Sequence, residues 1–427
     1  MNSDLHLRDL PSIRESLQSK KITFEEILTS AYKMINSNEE KIRAWESLVP
    51  IKDQTEPSND LPLAGLCLGV KDIFATIESH TSMGTDNSTW VGTTGSFDAR
   101  VVSKLRNYGA SIIGKNKTAE FAVHEPTNTI NPRNHDLTPG TSSSGGAAAV
   151  AAGHVSISLA SQTAGSIARP ASYCGVIGFK PSFGELPRTG VLKTTESFDT
   201  VGLIGNSITN IRSVFETARV NDLNHPLHIK QSINSLRNPR ILIAIGADFD
   251  DASEEIRNLA LEKINDLTRE TQRHFLSHVS KIKFKELRAC HNVIYAKELS
   301  YFLKHEVKFG SVSKGLREFA EYGDRISIDD YRKMLKLLSM QRKVANLELG
   351  NTVIIALSAA NEAPSNGKPD VLDSNLFWTA LGLPQISLPL LISKDHNPIG
   401  LSLVATKGSD SSLLDLALDM FPGKTPY

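Results

Sequence analysis

The stretch from Pro139 to Gly184 constrains this chain more than any other: PGTSSSGGAAAVAAGHVSISLASQTAGSIARPASYCGVIGFKPSFG. A triple serine, Ser142-Ser143-Ser144, sits in a glycine-rich turn, and a second turn, Thr163-Ala164-Gly165-Ser166, follows it. Gly-Ser runs are usually linkers. This one encloses an apolar, helix-forming piece, Ala147–Gly153, and leads to an apolar exit, Val176–Phe179. Two serine-bearing turns held by buried elements are the way a rigid scaffold presents reactive hydroxyls.

A serine hydroxyl is a poor nucleophile at neutral pH and needs a neighbouring base. Of the 12 histidines, only His154 lies in this stretch, and its place after Ala147–Gly153 fits a helix end or turn. A lysine can serve where burial disfavours its ammonium and lowers its pKa. Lys71 closes the apolar run Leu66-Cys67-Leu68-Gly69-Val70. The same position also suits a lysine that snorkels from a strand end.

These segments resemble the signature of the amidase signature family of serine hydrolases. Gly69-Val70-Lys71-Asp72 matches the family's lysine motif, and Thr163–Ser166 matches its nucleophile motif. Counting back from Ser166 puts the family's bridging serine at Ser142, 24 residues earlier. Ser144 replaces a glycine there, so Ser143 is held in reserve. The resemblance implies a Ser–cis-Ser–Lys triad of Ser166, Ser142 and Lys71, with a cis peptide at Ser142. Neutral Lys71 would take a proton from Ser142, which takes one from Ser166. The oxyanion hole and substrate contacts would fall to Thr163, Ala164, Gly165, Ser143 and Gln162. No metal or cofactor is implied. The implied activity is hydrolysis of a small carboxamide through an acyl-serine. Alternatives are the glutaminase component of a tRNA-dependent amidotransferase and a hydrolase of urea-like compounds such as allophanate or carboxybiuret. A non-catalytic scaffold is the remaining alternative.

The likeness extends to Asp98–Ala122, Pro170–Gly184, Glu196–Gly202, Ala360–Pro364 and Asn375–Pro389. It departs at Ala164, where most members have glycine and where alanine requires a negative φ. The arginine after the nucleophile is displaced by one, to Arg169, and is expected to pair with carboxylates or carbonyls beneath the site. Tyr173 is a candidate pocket wall, with core packing the preferred reading. A near-match to a phosphate-binding loop, Gly109–Asn116, has a strand-like Ser-Ile-Ile interior and ends on Asn116 where a magnesium-binding hydroxyl is required.

Strand and helix patterns alternate along the chain, which predicts an α/β fold. One amidase-signature domain is expected, with a large twisted mixed sheet, mostly parallel, covered by helices on both faces. Residues 1–60 are expected to form a helical segment packed on the core, and 61–220 the signature core. Residues 221–348 form a variable helical, substrate-side region, and 349–427 return to the same sheet. Lys+Arg and Asp+Glu both number 47, so no net charge draws the chain to nucleic acid or an acidic membrane surface. Cys67, Cys174 and Cys290 form no paired-cysteine motif, which favours reduced thiols. With neither a leader pattern nor a long apolar run, a cytoplasmic location is expected. A homodimer is the default assembly, and the partner otherwise expected is a small amide.

Overall fold

The computed structural model describes residues 4–85, 96–123, 125–220, 236, 239–243, 252–271, 275–276, 282–310, 312–368, 370 and 373–421. Helix α1 spans Leu10–Gln18 and α2 spans Phe24–Ile42. The Thr23 hydroxyl accepts from the Glu26 N–H while the Glu26 carboxylate accepts from the Thr23 N–H, so two donors at the start of α2 are satisfied reciprocally. The first 60 residues also hold a strand, β1 (Trp45–Leu48), whose four residues are too few to display a period.

The other strands of the first half are β2 (Cys67–Lys71), β3 (Ser111–Asn116), β4 (Ile157–Gln162), β5 (Ile177–Lys180) and β6 (Thr200–Gly205). They are followed by β7 (Arg240–Ile243), β8 (Phe275–Leu276), β9 (Thr352–Leu357), β10 (Gln385–Ile392) and β11 (Pro398–Val404). Helices α3 (Arg100–Asn107), α4 (Ser144–Ala151), α5 (Ala168–Cys174) and α6 (Ile208–Ala218) fall between the early strands. Then come α7 (Glu254–Thr271), α8 (Phe284–Phe302), α9 (Lys304–Phe309), α10 (Lys314–Arg325) and α11 (Ile328–Leu349). Two more, α12 (Asn375–Ala380) and α13 (Asp410–Met420), complete the described helices. Helices α8 and α9 are divided at Leu303.

The strands form one sheet in the order β1-β3-β2-β4-β6-β5-β10-β11-β9-β7-β8. The sheet is mixed, as expected, but it is not mostly parallel. Only β3–β2, β2–β4, β9–β7 and β7–β8 pair in parallel. The central run from β4 through β6, β5, β10 and β11 to β9 is antiparallel throughout. A strand buried on both faces reads as a continuous apolar run whichever way its neighbours point, so the pattern does not carry direction.

Helices cover both faces, and successive strand residues show it. Leu68, Ile112, Leu159 and Leu203 enter one core with residues of α3, α6, α7 and α13. Their chain neighbours Cys67, Ile113, Ala160 and Ile204 enter a second core with α1, α2, α4 and α5. That alternation is the period of two of a strand. A third core joins α8, α10, α11 and α12 to Ile354, Ala356 and Val404 of the sheet.

Candidate active site

Two neighbouring parallel strands end side by side. Lys71 is the last residue of β2 and Gln162 the last of β4, with Val70 opposite Leu159. The carboxyl ends of parallel strands are where α/β sheets gather functional groups. Lys71 and the turn 163–166 therefore share one edge of the sheet.

Lys71 is only 1% exposed, so it does not snorkel. Its Nζ donates to Ser142 Oγ at 2.7 Å and to Ser143 Oγ and Ser161 Oγ at 3.1 Å each. Burial pushes its pKa down to about 7, against the opposing pull of the Asp199 carboxylate. A lysine surrounded by hydroxyls and depressed to this value is substantially neutral near physiological pH.

The two serines are delivered by α4, which Ser143 immediately precedes. Thr118 Oγ1 donates to the Ser142 carbonyl at 2.7 Å. The helix lies very close to its surroundings. A Cβ on Gly145 would come within 2.4 Å of Ala44 O and Lys117 N, and one on Gly146 within 2.6 Å of Ser158 Oγ. Small residues are what let α4 sit near enough to bring both hydroxyls onto Lys71. The cis peptide implied at Ser142 is absent, since no described peptide bond is cis. The trans form avoids the roughly 3–4 kcal/mol that a non-proline cis bond costs, and Ser142 still reaches Lys71.

In the second turn the carbonyls face inward partners. Thr163 O accepts from His291 Nε2 at 2.9 Å, Ala164 O from Thr379 Oγ1 at 2.7 Å, and Gly165 O from Arg169 N at 3.0 Å. The N–H groups of Ala164, Gly165 and Ser166 donate to no described group. Ser166 is half-buried, and its hydroxyl bonds to no described residue, Ser142 included. The structure thus joins Lys71 to Ser142 and Ser143 and leaves Ser166 unlinked to them. Ala164 has no positive φ, which meets the condition for alanine there.

A family model for amidases matches residues 26–350. The chain belongs to the amidase family. It is accordingly a hydrolase of amide C–N bonds. The glutamyl-tRNA(Gln) amidotransferase of Brachyspira hyodysenteriae has an A subunit that is 27% identical over 472 residues, covering 95% of this chain and 96% of that one. The fold matches a chain from the inhibitor-bound form of a vestigial protein complex tied to the origins of an s-triazine catabolic enzyme. That likeness has TM-score 0.85 at 23% identity, over 98% of this chain and 100% of the other. Kluyveromyces lactis allophanate hydrolase matches at TM-score 0.84 and 21% identity, over 99% of this chain and 74% of that one.

In this amidase Gln162 departs from the expected substrate contact. It is fully buried, and its Oε1 accepts from Ile167 N and Ala168 N at the start of α5. Its Nε2 donates to Thr379 Oγ1 at 2.9 Å. The side chain thus holds the turn. Arg169 pairs beneath the turn as expected, through Nε to Asp373 at 2.7 Å and Nη1 to Asp370 at 3.1 Å. Tyr173 packs with Ala359 and Ala363. His154 is buried, accepting from Trp45 Nε1 at 3.1 Å, with its pKa lowered by burial to about 4. Lys115 lies in β3 and pairs with Asp72 at 2.8 Å, as a strand residue and not a phosphate ligand. Cys67, Cys174 and Cys290 are buried free thiols, and no described helix is long and apolar enough to cross a membrane.

Three residues at the site went unmarked in the sequence. Ser161 reaches Lys71 from 90 positions away, and nothing local distinguishes a serine in a strand. Asp199 accepts from Thr163 Oγ1 and from the N–H and hydroxyl of both Thr194 and Thr195. It lies in the matched segment Glu196–Gly202, which was the available signal. His291 sits in α8, in the region without motif matches.

Proposed function

We propose that this amidase hydrolyses small carboxamides, releasing ammonia or an amine, through an acyl intermediate on Ser166. The single observation that supports it best is the buried Lys71 Nζ, 2.7 Å from Ser142 Oγ at the strand end facing the Ser166 turn. Neutral Lys71 takes the Ser142 proton, and Ser142 takes that of Ser166 as its oxygen attacks the amide carbon. This step requires the unengaged Ser166 hydroxyl to come within hydrogen-bond reach of Ser142. The unpaired N–H groups of Ala164, Gly165 and Ser166 receive the developing oxyanion. Ser142 then returns a proton to the leaving nitrogen, which departs poorly as an anion. Water hydrolyses the acyl-serine by the same relay in reverse.

The test compares kcat/KM for an amide and an ester with the same acyl part. In Lys71→Ala the amide is expected to lose roughly 10²–10⁴-fold more than the ester, because general acid help matters chiefly for an amine. Equal losses would reduce Lys71 to an activator of Ser166 or a structural prop.

A second reading, the glutaminase component of a tRNA-dependent amidotransferase, is supported by the match to such a component over 95% of this chain. Purification from the native host with an obligate small partner, and glutamine as the preferred amide, would favour it.

A further inference from the structure

The turn that carries Ser166 is gripped from outside its own segment. His291, in α8, is buried, and its Nε2 donates to the Thr163 carbonyl at 2.9 Å. A carbonyl oxygen carries no proton, so the ring is the donor in either charge state. The ring is itself fixed. It stacks on Phe198 with centroids 4.6 Å apart and makes a T-shaped contact with Tyr295 at 5.6 Å. Seven residues along, on the same stripe of the helix, the Glu298 carboxylate accepts from the N–H groups of Glu196 and Ser197 at 2.8 and 2.9 Å. The residues that follow those two close the frame, because Asp199 accepts from Thr163 Oγ1 at 2.7 Å. Thr163 is therefore held by its side chain from one segment and by its carbonyl from another.

We propose that His291 is a positioning residue that aims the Ala164 N–H at the oxyanion. The inference rests on the amide-hydrolase reading and adds the part that α8 plays in it. In a planar trans peptide the C=O and N–H point in opposite directions. Holding the Thr163 oxygen on His291 turns the Ala164 N–H the other way, and that N–H has no described acceptor. An oxyanion donor is effective only when its direction is set before the charge develops, and a peptide free to rock loses that advantage. The neighbouring peptide is fixed by the same device, with Ala164 O held on Thr379 Oγ1. Thr379 lies in the matched segment Asn375–Pro389, whereas His291 lies in the region without motif matches. The variable region thus supplies one of the fixed donors behind the turn.

The test measures, on the full-length protein, the rate at which a fluorophosphonate labels Ser166, and kcat and KM for benzamide and nitrophenyl benzoate. The phosphonyl oxygen of the label takes the oxyanion's place, so the labelling rate reads the same donors whatever the natural substrate. His291→Phe keeps a ring between Phe198 and Tyr295 and removes the donor. Labelling rate and kcat are expected to fall roughly ten- to a hundredfold with KM nearly unchanged, short of the roughly 10²–10³-fold that removing an oxyanion donor outright costs. Amide and ester should lose equally, since both pass through the oxyanion, whereas a damaged proton relay harms the amide more. His291→Gln, whose amide nitrogen reaches the place of Nε2, should recover most of the rate. Leu299→Ala, which opens a cavity in the core that α8 shares, should melt at least as early as His291→Phe and keep its labelling rate. An undiminished rate in His291→Phe, no recovery in His291→Gln, or an equal loss in Leu299→Ala overturns the proposal and leaves the hydrolase reading standing. A wild type that takes no label on Ser166 sinks the hydrolase reading, and the role of His291 with it.

Discussion

At the scale of single residues, the chemistry turns on one proton. In the proposed relay Lys71 serves as a base only when neutral, and burial holds its pKa near 7, well below the ordinary lysine value of 10.5. The neutral fraction therefore rises as pH increases through that region. The rate of amide hydrolysis, kcat/KM, is expected to climb with an apparent pKa of about 7. A pH–rate profile checks this, and a curve flat from pH 6 to pH 9 would contradict it. Lys71, Ser142 and Ser166 were marked in the sequence because their segments match family motifs. The environment that lowers the lysine's pKa was not. Its hydroxyl cage draws on residues 71 to 90 positions away in sequence, and no local pattern reports such contacts.

Among the elements, α4 matters most, since it sets where Ser142 and Ser143 stand. The piece Ala147–Gly153 was readable as an apolar helix, whereas Ser144–Gly146, its observed first turn, read as part of the glycine-rich turn, and the packing explains why the residues are so small. Gly145→Ala forces a methyl against backbone atoms of Ala44 and Lys117 at 2.4 Å, which cannot rotate away. Overpacking of this kind costs about 1–3 kcal/mol. The variant should melt earlier and also lose activity, because the helix shift moves the serines off Lys71. Melting and kcat/KM together decide the point. An alanine accepted with neither change would mean that α4 has slack. Elements whose signals are weak in isolation escaped the sequence: β1 is four residues long, and α12 is six.

For the whole molecule, the sheet of alternating strands and covering helices was foreseeable, whereas its strand directions were not. The antiparallel run from β4 to β9 comes from pairings between distant segments, such as Phe179 with Ile386, which no local period encodes. Burying a lysine in this sheet has a consequence for global stability. Between about pH 7 and pH 10.5 the unfolded chain holds a proton on Lys71 that the folded chain has released. The unfolded state binds more protons there, so this group's contribution to stability rises with pH across that window. Below it the folded state bears the full cost of a buried ammonium. Lys71→Met should accordingly melt higher than wild type at pH 7, with the gap closing towards pH 10. Thermal melts of both proteins across this range test it. A gap that widens with pH would reverse the sign and show that the ammonium is stabilised in the fold.

The central claim is that Ser166, activated through Ser142 and Lys71, attacks the amide. The most direct measurement is covalent labelling by a fluorophosphonate, with the adduct located by peptide mass spectrometry. A single adduct on Ser166 is expected in wild type, formed far more slowly in Lys71→Ala and not at all in Ser166→Ala. An adduct on Ser142, Ser143 or any other serine, or undiminished labelling of Ser166→Ala, would contradict the account.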